Sequence, residues 1–236
     1  MSDPKIEGYE FKPGYKGMAR DTASDQTMFK GVHWGKAMMW IFLLSDTFIF
    51  SCFLISYMKG RGSTPIDWPN PSKVFALEVG GVSVPLLLIA IMTFVLITSS
   101  GTMALAVKFG YERKRKLCGW LLLATALGGL TFVGMQAFEW SKLIHEGVRP
   151  WTNPFGAEQF GSFFFMITGF HGTHVSIGVI FLSIYAYKTF AGHYDTGKRG
   201  WFTSIKGDYV EIEILGLYWH FVDLVWVFIF AFFYLW

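Results

Sequence analysis

The run YWHFVDLVWVFIFAFFYLW, from Tyr218 to Trp236, is almost entirely apolar, yet it holds His220 and Asp223 three residues apart. That spacing puts an imidazole and a carboxylate on one face of a helix. An Asp near the centre of a membrane helix costs roughly 2.5–3.5 kcal/mol, so both groups need partners on neighbouring helices. Five more polar groups sit in apolar surroundings: Asp46, Gln136, Glu139, His171 and His174. Together they could do three kinds of chemistry. They could hydrogen-bond one another and fix the register of the helices. They could relay protons or ions, the usual work of intramembrane acids and imidazoles. They could ligate a metal or haem, which also demands an open coordination position and supporting hydrogen bonds. Membrane haems held in stacked pairs need His residues several turns apart on each of two helices. His171 and His174 are one turn apart and the last span holds only His220, which counts against such a pair of haems.

The elements that carry these groups are apolar runs of twenty residues or more, long enough to cross a hydrocarbon core of roughly 30 Å. Of the 236 residues 53% are hydrophobic and 19% aromatic, and the mean hydropathy is +0.39. The chain reads as all-α, a polytopic transmembrane bundle with five spanning helices near 37–58, 82–107, 118–139, 160–187 and 214–236. Residues 1–36 read as a polar N-terminal arm without an apolar signal core, followed by one transmembrane domain over 37–236. Pro85 is expected in the first turn of the second span, where proline is tolerated. Cys52 and Cys118 lie apart with no CxxC spacing, which excludes disulfide, iron–sulfur and zinc readings. Nothing points to a nucleic-acid partner.

Charge gives the orientation. Fifteen of the twenty Lys and Arg residues lie on the side of the N-terminus and five on the other. The expected topology is therefore N-terminus cytoplasmic and C-terminus outside. Counting helix rise from each entry point puts His171, His174, His220, Asp223 and Asp46 at similar heights, roughly 14–21 Å from one face or the other. Glu139 falls near the outer edge, within reach of headgroups or water. Gly128, Gly129 and Gly134 on the third span should let helices approach closely, as should Gly161, Gly169, Gly172 and Gly178 on the fourth. The aromatic residues of the fifth span, among them Trp219, Trp226 and Tyr234, are expected to face lipid and anchor at the interface.

Five segments then carry a resemblance: LLSDTFIF at 43–50, SSGTM at 99–103, QAFEW at 136–140, FGSFFFMITGFHGTHVSIG at 160–178 and YWHFVDLVW at 218–226. In this order they closely resemble subunit III of the haem–copper oxidases, the cytochrome c and quinol oxidases. The resemblance implies a core subunit with no active site of its own in aerobic respiration, supporting subunit I, which reduces O2 to water and pumps protons. It implies no cofactor bound by this chain, with haem and copper on partner subunits. The partners it implies are subunit I, subunit II and a small subunit IV, together with structural phospholipid. Headgroup positions carried over from the family fall on Lys188 and His193. The family carboxylate of the first of these five helices, usually Glu, is Asp46.

Two further helices that precede these five in longer family members have no counterpart before Asp46, so the chain resembles the five-helix bacterial form. The lipid cleft those helices help to build would then be lost or completed by another subunit. Surface His residues that often follow the second span are replaced by LAVKFGYE at 105–112. The expected place is the bacterial inner membrane, and the expected complex is of the cytochrome c oxidase type. Alternatives are a quinol oxidase subunit III, an accessory subunit of a nitric oxide reductase, or a stand-alone proton-conducting or quinone-binding protein.

Overall fold

Long apolar runs and the Pro- and Gly-rich breaks between them decide the architecture. A computed structural model describes residues 34–79, 82–195 and 209–235. Five helices are long and apolar enough to cross a membrane. They are α1 (Trp34–Ser63), α2 (Leu87–Tyr111), α3 (Arg115–His145), α4 (Gln159–Phe190) and α5 (Val210–Phe230). A π-helical turn, Ala231–Leu235, extends α5. The arm expected over 1–36 lies outside the described residues up to position 33, and α1 begins three residues earlier than expected.

Between α1 and α2, where the sequence is rich in proline and glycine, the chain still forms local structure. Asn70 accepts from the Ser72 amide and starts a single helical turn, Pro71–Val74, with proline in the position it favours. Two short antiparallel strands follow, β1 (Ala76–Val79) and β2 (Val82–Pro85), in register Ala76 to Pro85 and Val79 to Val82. Pro85 therefore ends a strand instead of sitting in the first turn of the second span. Leu86 turns the chain at φ 60°, and α2 starts at Leu87, five residues later than the hydropathy suggested.

The α2–α3 connection is tight. Arg113 sits at φ 57° and the Lys114 amide donates to the Phe109 carbonyl at 2.9 Å, so α3 follows antiparallel to α2. Helices α2, α3 and α4 are sequential neighbours, and α5 packs against α1, α2 and α4. Of the five, α5 is the most buried and α1 the least.

Two glycines make room for α5. A Cβ on Gly178 would stand 2.8 Å from Trp219 and 3.2 Å from Tyr218, and one on Gly129 would also meet Trp219. Gly128 likewise meets Ser99, but Gly134 and Gly172 face open space and bring no helices together. The large rings of α5 also depart from expectation. Trp219, Trp226 and Tyr234 are buried in the core, while Phe228 is half exposed. They fill the bundle where lipid contact was expected.

The glycine packing yields a direct prediction. Gly178→Val overpacks the α4–α5 contact and should destabilise by about 1–3 kcal/mol, whereas Gly172→Ala should leave stability unchanged. Thermal unfolding of the purified protein in detergent checks both; equal Tm values for the two variants would contradict the packing.

Candidate functional site: a divided polar layer

The polar groups picked out by spacing all lie in the helices expected to hold them, but they do not form one network. Helix α5 divides them. On one side, Asp46 of α1 faces His174 of α4 with 3.5 Å between Oδ2 and Nε2. His174 Nδ1 donates to the Phe170 carbonyl at 2.9 Å, so its Nε2 is the nitrogen left for the acid. One proton between the two groups keeps the pair neutral, whichever partner holds it. Phe50 and Phe170 pack their rings around His174, 5.8 and 4.8 Å away.

His171, three residues before His174, turns towards α5. Its Nε2 donates to the Val222 carbonyl at 3.1 Å, and its ring packs on Phe132 and Trp226. A ring that donates through Nε2 is neutral unless Nδ1 is protonated too, and Nδ1 has no hydrogen-bond partner. On the opposite side of α5, His220 Nδ1 meets the Ser100 hydroxyl of α2 at 2.6 Å. Asp223 lies beside the same two residues. Among the described residues no hydrogen bond or ion pair joins His171 or His174 to His220 or Asp223.

A third group holds Glu139. Gln136 Nε2 donates to its carboxylate at 3.1 Å and the Tyr234 hydroxyl at 3.3 Å. Glu139 is only 3% exposed, so it does not reach headgroups or water as its height suggested. The acid is enclosed by α3 and the end of α5.

The two residues assigned to lipid headgroups part company. Lys188 is buried, with its ammonium 3.3 Å from Glu211 and 4.7 Å from the centre of the Tyr185 ring. The Tyr194 hydroxyl donates to the same Glu211 oxygen at 2.8 Å. Lys188 therefore does not fit a headgroup site, because its charge is engaged inside the protein. His193 is exposed just past the end of α4. Burial, with Glu211 adding to it, pushes the Tyr194 phenol well above its ordinary range. In the α2–α3 turn the Lys114 ammonium, 2.8 Å from Glu112, holds that carboxyl below its usual value.

Partners that spacing alone did not reveal are mostly hydroxyls and indoles. Trp219 Nε1 donates to Ser99 at 3.1 Å and Trp226 Nε1 to Thr93 at 3.0 Å. The Tyr218 hydroxyl donates to the His174 carbonyl at 2.8 Å, and Thr102 meets Thr125 across α2 and α3 at 2.8 Å. Ser99, Ser100 and Thr102 all belong to the SSGTM segment, so a signal was present. Glu211 and Tyr194 had none, since neither lies in a motif. Among the described residues no three His, Cys, Asp or Glu side chains converge as metal ligands would. The arrangement can fix helix rotation and hold single protons in local pairs; among the described residues no hydrogen bond links these pairs to one another.

Comparison with known proteins places this geometry. The family model described as "Cytochrome c oxidase subunit III" matches residues 15–236. The chain is 29% identical over 207 residues to "Probable quinol oxidase subunit 3" of Staphylococcus saprophyticus, covering 88% of this chain and 90% of that protein. It is 31% identical over 192 residues to the protein of the same name in Staphylococcus epidermidis, covering 81% and 84%. With the Staphylococcus aureus counterpart identity is 29% over 214 residues, covering 91% and 94%. The match runs through all five spans and every polar group described above, and the chain belongs to the cytochrome c oxidase subunit III family, the third subunit of the haem–copper oxidases.

Proposed function

We propose that this chain is a non-catalytic structural subunit of a haem–copper terminal oxidase in a bacterial inner membrane. It packs against the catalytic subunit, which reduces O2 to water and translocates protons, and stabilises that subunit during turnover. Haem and copper belong to partner chains. The observation that carries this reading is the state of the polar groups. Asp46 with His174, His171 and Glu139 each lie against a side chain or carbonyl of their own bundle, in separate pairs and small groups, while the family match covers residues 15–236. Such pairs suit a scaffold, and they do not suit a ligand set or a relay.

For the electron donor we favour quinol, the alternative, over the cytochrome c type first expected. The relatives in three staphylococcal species all carry the name "Probable quinol oxidase subunit 3". The orientation we propose has the N-terminus and the α2–α3 turn in the cytoplasm, on the strength of the Lys and Arg asymmetry.

Three outcomes follow. The purified complex should oxidise a short-chain quinol and be inert towards reduced cytochrome c; the reverse preference in an oxygen-electrode assay would overturn the donor. Replacing Asp46 by Ala should leave haem per complex unchanged while weakening retention of this chain or shortening catalytic lifetime, and a drop in haem content would contradict a structural role. A single cysteine introduced at Glu112, in a variant lacking Cys52 and Cys118, should resist a membrane-impermeant maleimide in intact cells and react after lysis. A cysteine at Gly147 should react in both. The opposite labelling pattern would invert the topology.

A further inference from the structure

The outward face of α5 carries a polar atom that the chain itself does not satisfy. His220 is exposed, although it stands roughly 15 Å along α5 from Val210, near the middle of a hydrocarbon core of about 30 Å. Its Nδ1 is engaged by Ser100. Its Nε2 has no partner among the described residues. Asp223, one turn further along, keeps its Oδ1 without a hydrogen bond. That oxygen is closed off inside the bundle, so the deficit the surface presents is Nε2, at a depth where water is scarce and acyl chains can neither donate nor accept.

The surroundings are shaped for an apolar body. Gly101 lies next to Ser100, and a Cβ there would meet nothing within 4 Å, so the α2 backbone is open to close approach. On the other flank a groove of about 390 Å³ runs between α1 and α5, lined in part by Ile55, Phe221, Leu224 and Phe228. Leu224 is 54% exposed between this groove and the imidazole.

We propose that this face seats a transmembrane helix of another chain of the oxidase, whose polar side chain hydrogen-bonds His220 Nε2. A helix meets every requirement at once: its own backbone is internally paired, its flank is apolar, and it can present a polar group at one height. Ser100 can donate to Nδ1 or accept from it, so Nε2 can be donor or acceptor. A hydroxyl or carboxamide, able to play either part, is the matching group on the partner. Asp223 and Ser100 hold the imidazole in place from within the bundle. The inference rests on the proposed membership of an oxidase complex.

A photo-crosslinking amino acid at Leu224, in the whole complex within its native membranes, tests it. The control is the same probe at Leu127, which is exposed on α3. The Leu224 probe should give an adduct with a different protein chain, and the Leu127 probe adducts with lipid only. His220→Leu should lower the Leu224 adduct by roughly three- to tenfold, the range set by intramembrane hydrogen bonds. His220→Gln, which can still donate and accept, should largely retain it. Lipid adducts alone at Leu224, an adduct with a second copy of this chain, or equal protein adducts from both probes would overturn the inference. If haem-bearing chains still co-purify in those cases, the proposed function stands; if none co-purify, that function falls as well.

Discussion

A polar side chain inside hydrocarbon has to be matched by another, because neither lipid nor water is there to serve it. Helix α5 shows how far this governs the bundle. Its Tyr218, Trp219, His220 and Trp226, with Tyr234 in the following turn, reach partners on α4, α2, α2, α2 and α3. A hydrogen bond of this kind averages about 0.6 kcal/mol in a membrane bundle. Five such bonds therefore add modest stability, but they allow only one rotation of α5 about its axis. Steric fit agrees with them, since the same rotation puts Trp219 against Gly129 and Gly178.

The two ends of the bundle are closed by different means. At the end bearing the α2–α3 turn, charges tie the helices together. Lys36 pairs with Glu213 at 2.6 Å, Tyr111 bonds the same acid, Arg115 pairs with Asp195 at 2.7 Å, and Lys188 meets Glu211. At the other end aromatic rings do the work. Tyr57 lies 4.1 Å from Phe233, and Phe75 lies 4.5 Å from Tyr234, centroid to centroid. Helix α1 is held by few contacts between these ends, and among the described residues Asp46 with His174 is a polar one. A helix so lightly held suits a subunit completed by its neighbours.

Much of this was legible in the sequence, and the failures share a cause. Apolar runs located all five helices to within a few residues, because hydrocarbon thickness sets their length. Height along each helix was legible too, and it brought Asp46 and His174 to one level. Azimuth was not. Helix rise says nothing about which neighbour a side chain faces, so His171 and His220 looked like one layer although α5 stands between them. The same blindness sent Glu139 towards the headgroups and Trp219 towards lipid. Lys188 misled for a different reason: its partner Glu211 is 23 residues further on, at the start of α5, in no recognisable motif. The strand β2 was hidden because Val82–Pro85 leads straight into an apolar run and reads as the first turn of the second span.

The central claim is that the acids and imidazoles of this chain hold a scaffold in shape and that redox chemistry resides on the chains it joins. Metal and haem analysis separates the two most directly. The complex is captured by a tag on this chain in mild detergent, then the chain is released and both fractions are assayed for iron, copper and haem. The account predicts haem and copper with the partner chains and none with the released subunit. Iron or copper in stoichiometric amount on the isolated chain would contradict it.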